Sequence, residues 1–122
     1  MDVYREILPD SYLLIVTGTC QVTEAEVLQR ALRRAGGSGK ASVWVDCSEL
    51  HHPSITVIQL LAEFYVRLRK RHIQLILCHL EEDVRQAVEQ LPPSSQPLML
   101  GTLLDASLYC RNLHTPHLQE VA

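Results

Sequence analysis

Between residues 46 and 56 the sequence gathers acids, a thiol, two histidines and hydroxyls, among them Asp46, Cys47, His51, His52, Ser54 and Thr56. These are the ingredients of nucleophilic catalysis, with Cys47 or Ser54 as nucleophile, His51 or His52 as base, and Asp46 orienting the imidazole. The stretch has no Gly-x-Ser-x-Gly elbow and no glycine loop to bind an oxyanion. Metal ligation would draw on His51, His52 and Cys47. Adjacent histidines on an extended chain project to opposite faces, and no Cys-x-x-Cys or His-x-x-x-His pair completes a shell. The remaining chemistry is that of a helix start. Thr56 followed by Gln59 has capping-box spacing, and Ser54, just after Pro53, is a second candidate cap. A hydroxyl there is also where a phosphate is tolerated, because free amides and the positive end of the helix dipole suit an anion. The spacing favours a capped helix start over a catalytic or metal centre, a structure with which a phosphate switch is compatible, and no cofactor is expected.

The flanking elements place that junction. "VYREIL" and "SYLLIVTG" read as two strands joined across the Pro9-Asp10 turn signal. "TEAEVLQRALRRAGG" reads as a helix with a Thr23/Glu26 capping box, an apolar face of Val27, Leu28, Ala31, Leu32 and Ala35, and a Gly36-Gly37 stop. "ASVWVDC" predicts a central strand leaving the sheet at the polar residues that follow. Val57, Leu60, Leu61, Phe64 and Leu68 then recur at helical spacing, ending in Arg67, Arg69 and Lys70, where cations favour a helix C-terminus. "HIQLILCH" predicts a strand, and "EEDVRQAVEQLPP" a helix with acids in its first turn and Val84, Ala87, Val88 and Leu91 on its apolar face. "LMLG" and "LLDASLYCRNL" predict a last short strand and helix. The junction therefore lies at the carboxyl edge of an α/β sheet, where such sheets usually bind their ligands.

Composition narrows the classes. The chain has 122 residues, 47% apolar and 20% charged, which suits one domain, expected over residues 1–112 with a tail at 113–122. A net charge of −3 and 5% aromatic residues give neither a basic field nor a stacking platform for nucleic acid. The arginines at 30, 33, 34, 67, 69 and 71 with Lys70 read as solvated helix faces. Cys20, Cys47, Cys78 and Cys110 lie far apart and read as buried, reduced thiols. No apolar run reaches membrane-spanning length, and the first residues lack the layout of a signal peptide, so a cytoplasmic location is expected.

From "VWVDCSELHHPSITVIQLLAEFYVRLRKRHIQLILC" the chain resembles the STAS family, the sulfate transporter and anti-sigma factor antagonist domains. Asp46 matches that family's strand-ending acid, Ser54-Ile55-Thr56 its junction triplet, and Leu60-Leu61 its paired leucines, within a likeness covering residues 10 to 112. Ser54 stands where the family usually has Asp, and Val57 where it has a small residue. The resemblance implies a single α/β domain: an N-terminal hairpin, then alternating βα units, in a mixed, largely parallel sheet of 4–5 strands with about 4 helices. It also implies a non-catalytic bacterial protein that works through protein contacts as an anti-sigma factor antagonist. Thr56 would be the phosphoacceptor, with Ser54 the alternative, and His51, His52, Ser54, Ile55, Thr56, Val57 and Gln59 the partner face. The implied partner is an anti-sigma factor that is also a serine/threonine kinase, or a subunit of a STAS-binding complex; homodimer formation stays open. The alternative role is a constitutive adaptor or scaffold subunit of a transporter or signalling complex, without phosphorylation.

Overall fold

Alternating apolar residues in the strands dictate a sheet covered on both faces. The computed structural model describes residues 1–19 and 25–114. Cys20, Thr23 with its capping box, and the tail from 115 onward lie outside the described residues. β1 (Asp2–Ile7) and β2 (Ser11–Thr19) form the antiparallel hairpin across Pro9-Asp10. α1 (Ala25–Gly36), β3 (Ser42–His51), α2 (Ile55–Lys70), β4 (Gln74–Cys78), α3 (Glu82–Glu89), β5 (Leu98–Leu100) and α4 (Leu103–His114) follow, with a 3₁₀ turn at Pro93–Ser95. The sheet order is β1-β2-β3-β4-β5, parallel from β2 onward, so β3 is the middle strand. The expected fold class is the one observed. α4 runs through His114, past the expected start of the tail.

The period-2 alternation divides the core. Tyr12, Leu14 and Val16 of β2, Val43, Val45 and Cys47 of β3, and Leu75 and Leu77 of β4 face α1, α2 and α3. Leu13, Trp44, Ile76 and Cys78 face the opposite way and pack on Ala106 and Cys110 of α4. Helix α1 buries Leu28, Leu32 and Ala35 as its periodicity predicts. Val27 corrects that face: it is an exposed apolar residue, one position off the buried stripe. Gly36 lets α1 approach α2, since a Cβ there would meet Leu68 Cδ2 at 2.9 Å.

Helix α2 ends without a glycine. His72, at φ +60°, occupies the left-handed position beyond the helix. The Ile73 N–H donates to Leu68 O at 2.8 Å and the His72 N–H to Arg69 O at 3.0 Å. This is the paired closing pattern that satisfies the last helical carbonyls. Leu61 is buried within the core and Ile55 is 73% exposed at the other end of the same helix. Leu61→Ala should therefore cost about 2–5 kcal/mol, whereas Ile55→Ala should stay within about 0.5 kcal/mol. Urea unfolding of both variants measures the contrast.

Candidate functional site

The junction is built by a bulge. Asp46 Oδ1 accepts the N–H of Ser48 at 3.0 Å, a local turn of the kind a short acidic side chain favours. At this point the β2/β3 register slips, from Ile15–Asp46 to Thr17–Glu49. The extra residue in β3 shifts the alternation, so Leu50 rather than Glu49 enters the core. β4 leaves β3 after the Asp46–Cys78 pair, but β2 follows it to Thr19–His51. The expected end of the strand near Asp46 is thus correct on the β4 side alone; the strand itself continues to His51. His52 then adopts φ +46°, a left-handed value uncommon outside glycine, and turns the chain into α2.

Of the two candidate hydroxyls, Ser54 is the cap. It has the extended backbone of a cap residue, its Oγ accepts the Val57 N–H at 3.3 Å, and its carbonyl accepts the Ile58 N–H. Thr56 lies inside the first turn, so the Thr56/Gln59 capping box does not form. Instead Thr56 is half-buried in a concavity of about 270 Å³ between the first turns of α1 and α2, lined also by Glu26, Gln29, Gln59 and Glu63. Ile55 and Gln59 are exposed. Val57 corrects the expected partner face: it is completely buried in the core and supports the edge from beneath.

The two histidines reach one neighbour. His51 Nδ1 lies 3.0 Å from Glu81 Oε1, and His52 Nδ1 lies 3.6 Å from Asp83 Oδ2. Glu81 is the cap residue of α3 but makes no side-chain capping bond; its carboxylate goes to His51 instead. These acids were absent from the expected site. Their signal was the acidic start of "LEEDV" in the next βα unit, since consecutive parallel strands bring their carboxyl ends side by side.

The catalytic alternatives fail on geometry. Cys47 is buried, and burial, then the Asp46 carboxylate, pushes its thiol far up, away from the reactive thiolate. Cys78 is pushed up to about 12, again by burial first and Asp46 second. Ser54 Oγ is engaged by the helix amide, and His51 and His52 turn to α3. Among the described residues no three His, Cys, Asp or Glu side chains gather where a metal ion could be held. Among the described residues no helix is long and apolar enough to cross a membrane.

Compared with known families, residues 5–95 match the STAS domain. The chain belongs to the STAS family. Comparison with curated proteins returns no match. Among solved structures, this STAS domain is similar to the anti-sigma factor antagonist SpoIIAA in its unphosphorylated form, with TM-score 0.71 and 12% identity over 91% of this chain and 98% of that one. It is similar to a serine-to-glutamate variant of RsbS from Moorella thermoacetica, with TM-score 0.76 and 16% identity over 93% of this chain and 98% of that one. It also matches part of the murine solute carrier 26 member A9 anion transporter, with TM-score 0.71 and 15% identity over 87% of this chain and 18% of that one. Each likeness is one of fold.

Two outcomes follow from this geometry. Ser54→Ala should lower unfolding free energy by about 1 kcal/mol, and Thr56→Ala by less than about 0.5 kcal/mol; the reverse order would move the cap to Thr56. The raised thiols set a sign for pH. The unfolded chain loses its Cys78 proton from about the ordinary value, 9.0, while the folded chain holds it to about 12. Stability therefore falls as pH rises through that window. Iodoacetamide at neutral pH should modify Cys47 and Cys78 only after denaturation, as peptide mass mapping would record.

Proposed function

We propose that this STAS protein is a non-catalytic regulatory module of the anti-sigma factor antagonist kind, and that it docks through the start of α2. The observation that carries the reading is the placement of Ile55. A single exposed apolar side chain is ordinary on a surface. Ile55, however, is 73% exposed at a helix tip between Ser54 and Thr56, on the sheet edge where α/β proteins bind. His51, His52 and Gln59 flank it.

Thr56 is the proposed phosphoacceptor. A phosphate brings nearly two negative charges to a concavity that already holds Glu26 and Glu63. Neutral Thr56 leaves an apolar tip with polar shoulders, suited to a partner; phosphorylated Thr56 makes the edge strongly acidic and costly to desolvate. The partner under this reading is an anti-sigma factor with serine/threonine kinase activity, which supplies all the chemistry. Ser54 is the alternative acceptor, although its oxygen also caps the helix. The likeness to SpoIIAA, whose structure is of an unphosphorylated form, and to an RsbS variant with glutamate for serine supports a switch of this kind.

A second reading, a constitutive adaptor, is favoured by the likeness to part of an anion transporter. In that case the same edge works without phosphorylation. Tagged protein expressed in its own cells separates the two. Under the switch, Thr56→Ala retains its co-purifying partner, Thr56→Glu and Ile55→Asp each lose at least about tenfold, roughly 1.4 kcal/mol, and intact mass with peptide mapping finds phosphate on Thr56. Equal capture by the Ala and Glu variants, with no phosphate at Thr56 or Ser54, supports the adaptor. Retention of the partner by Ile55→Asp overturns the docking edge in both readings.

A further inference from the structure

The chain's cations gather at the amino edge of the sheet, opposite the docking edge. Arg33 and Arg34 stand in the last turn of α1, Arg67, Arg69 and Lys70 in the last turn of α2, and Arg71 is the residue that closes α2. The two helix ends lie together, since a Cβ on Gly36 would sit 3.8 Å from a guanidinium nitrogen of Arg71. Lys40 joins them, its Nζ donating to the Pro9 carbonyl of the β1–β2 turn at 3.0 Å. The Ala41 N–H donates to Asp10 O and the Gln74 N–H to Ala41 O, which holds this turn and the starts of β3 and β4 on one edge. What the sequence presents as separate solvated helix faces, the fold joins into one basic surface.

Segments 7–12, 33–42 and 67–74, which make up this edge, hold these seven of the chain's 11 lysines and arginines and one acid, Asp10. Among the described residues none of the seven makes an ion pair, and the six on the helix ends are exposed. The acids beside His51 and His52 lie at the other end of the ten-residue β3, roughly 30 Å away along an extended strand. At physiological salt the screening length is about 8 Å. An anion meeting the amino edge is therefore attracted by the local cations, whatever the net charge of −3.

Two features select the kind of anion. Arg67 lies over the Phe64 ring at 5.4 Å and Arg69 over the Tyr65 ring at 5.6 Å, so these faces are taken and do not serve as a platform for bases. The β1–β2 turn adds an apolar tip, with Ile7 59% exposed and Pro9 exposed. Nucleic-acid phosphates gain nothing from such a tip, whereas a bilayer buries it at the boundary of headgroups and acyl chains.

We propose that the amino edge binds the surface of an anionic phospholipid bilayer, with the cations on the headgroups and Ile7 at their boundary with the acyl chains. The contact is peripheral and does not rest on the proposed function. It would leave the docking edge free, because the 16 residues of α2 set its first turn about 24 Å from its basic end.

Vesicle flotation of the purified chain tests the proposal. Vesicles of phosphatidylglycerol and phosphatidylcholine in equal parts should carry the protein at physiological salt, and vesicles of phosphatidylcholine alone should not. Salt at about 1 M, where screening acts within about 3 Å, should release it. Arg69→Gln with Lys70→Gln should weaken binding at least about tenfold. Val27→Glu with Leu104→Glu changes the net charge by the same amount at exposed positions of the opposite end and should alter binding less than about twofold. Ile7→Ser should weaken binding without removing its salt dependence. Binding to phosphatidylcholine alone, equal losses from the two charge pairs, no loss from Ile7→Ser, or tighter binding of a DNA duplex at the same salt overturns the proposal. If a variant does not fold, the wild-type comparison of the two vesicles and the duplex decides.

Discussion

The position of the start of α2 depends on one contact, the Asp46 carboxylate accepting the Ser48 N–H. A strand alternates strictly, so a β3 without the slip would point Glu49 into the core that Leu50 fills. With the bulge, β3 remains hydrogen-bonded to β2 as far as His51 while parting from β4 at Asp46. The strand end is thereby carried beyond its neighbour, and the chain turns at His52 into a helix whose first residues stand clear of the sheet. The buried face of α2, from Val57 through Leu61 and Phe64 to Leu68, fixes the direction in which that tip points.

Much of this was legible because it rests on period and punctuation. The hairpin followed from Pro9-Asp10 between two apolar runs, the order of strands and helices from the switch between periods of 2 and 3.6, and the α2 core face from five apolar residues at helical spacing. The STAS likeness came from the same order of elements. What could not be read depended on contacts remote in sequence or on local geometry with several solutions. Ser54 and Thr56 both suit a cap, and the choice went to the residue whose extended backbone precedes the helix. Val27 has the right type for the α1 core but sits one position off the stripe that Leu28 and Leu32 bury. The α2 stop uses His72 in a left-handed conformation where no glycine advertised it. Glu81 and Asp83 join the site only because β3 and β4 end side by side.

The electrostatics of the edge are those of positioning. His51–Glu81 and His52–Asp83 are partly exposed contacts, and such pairs contribute about 0–1 kcal/mol each. Their effect is to tie the β3–α2 loop to the start of α3, so that the tip has a defined place. Close by, Glu26 of α1 and Glu63, further along α2 itself, line the same concavity as Thr56. An added phosphate would gain from the α2 dipole and lose to these carboxylates. Whatever the balance, phosphate at Thr56 would add negative charge beside the apolar tip.

A thiol, a hydroxyl and an imidazole near one another suggest catalysis only if each is free to act. Here burial keeps the Cys47 and Cys78 thiols protonated, the helix amide occupies Ser54, and α3 holds both imidazoles. The thiols are thus committed to the core, and the Ser54 oxygen and the two imidazoles to the turn, while the Thr56 hydroxyl is half-buried beside them. The apolar group of the junction that faces solvent is Ile55, which has no chemistry beyond the removal of its surface from water. A junction whose thiols, cap oxygen and imidazoles are held by structure, and which exposes an apolar side chain among polar ones, would suit contact with another protein. Under the proposed switch, the lever is charge added to the Thr56 hydroxyl beside that isoleucine.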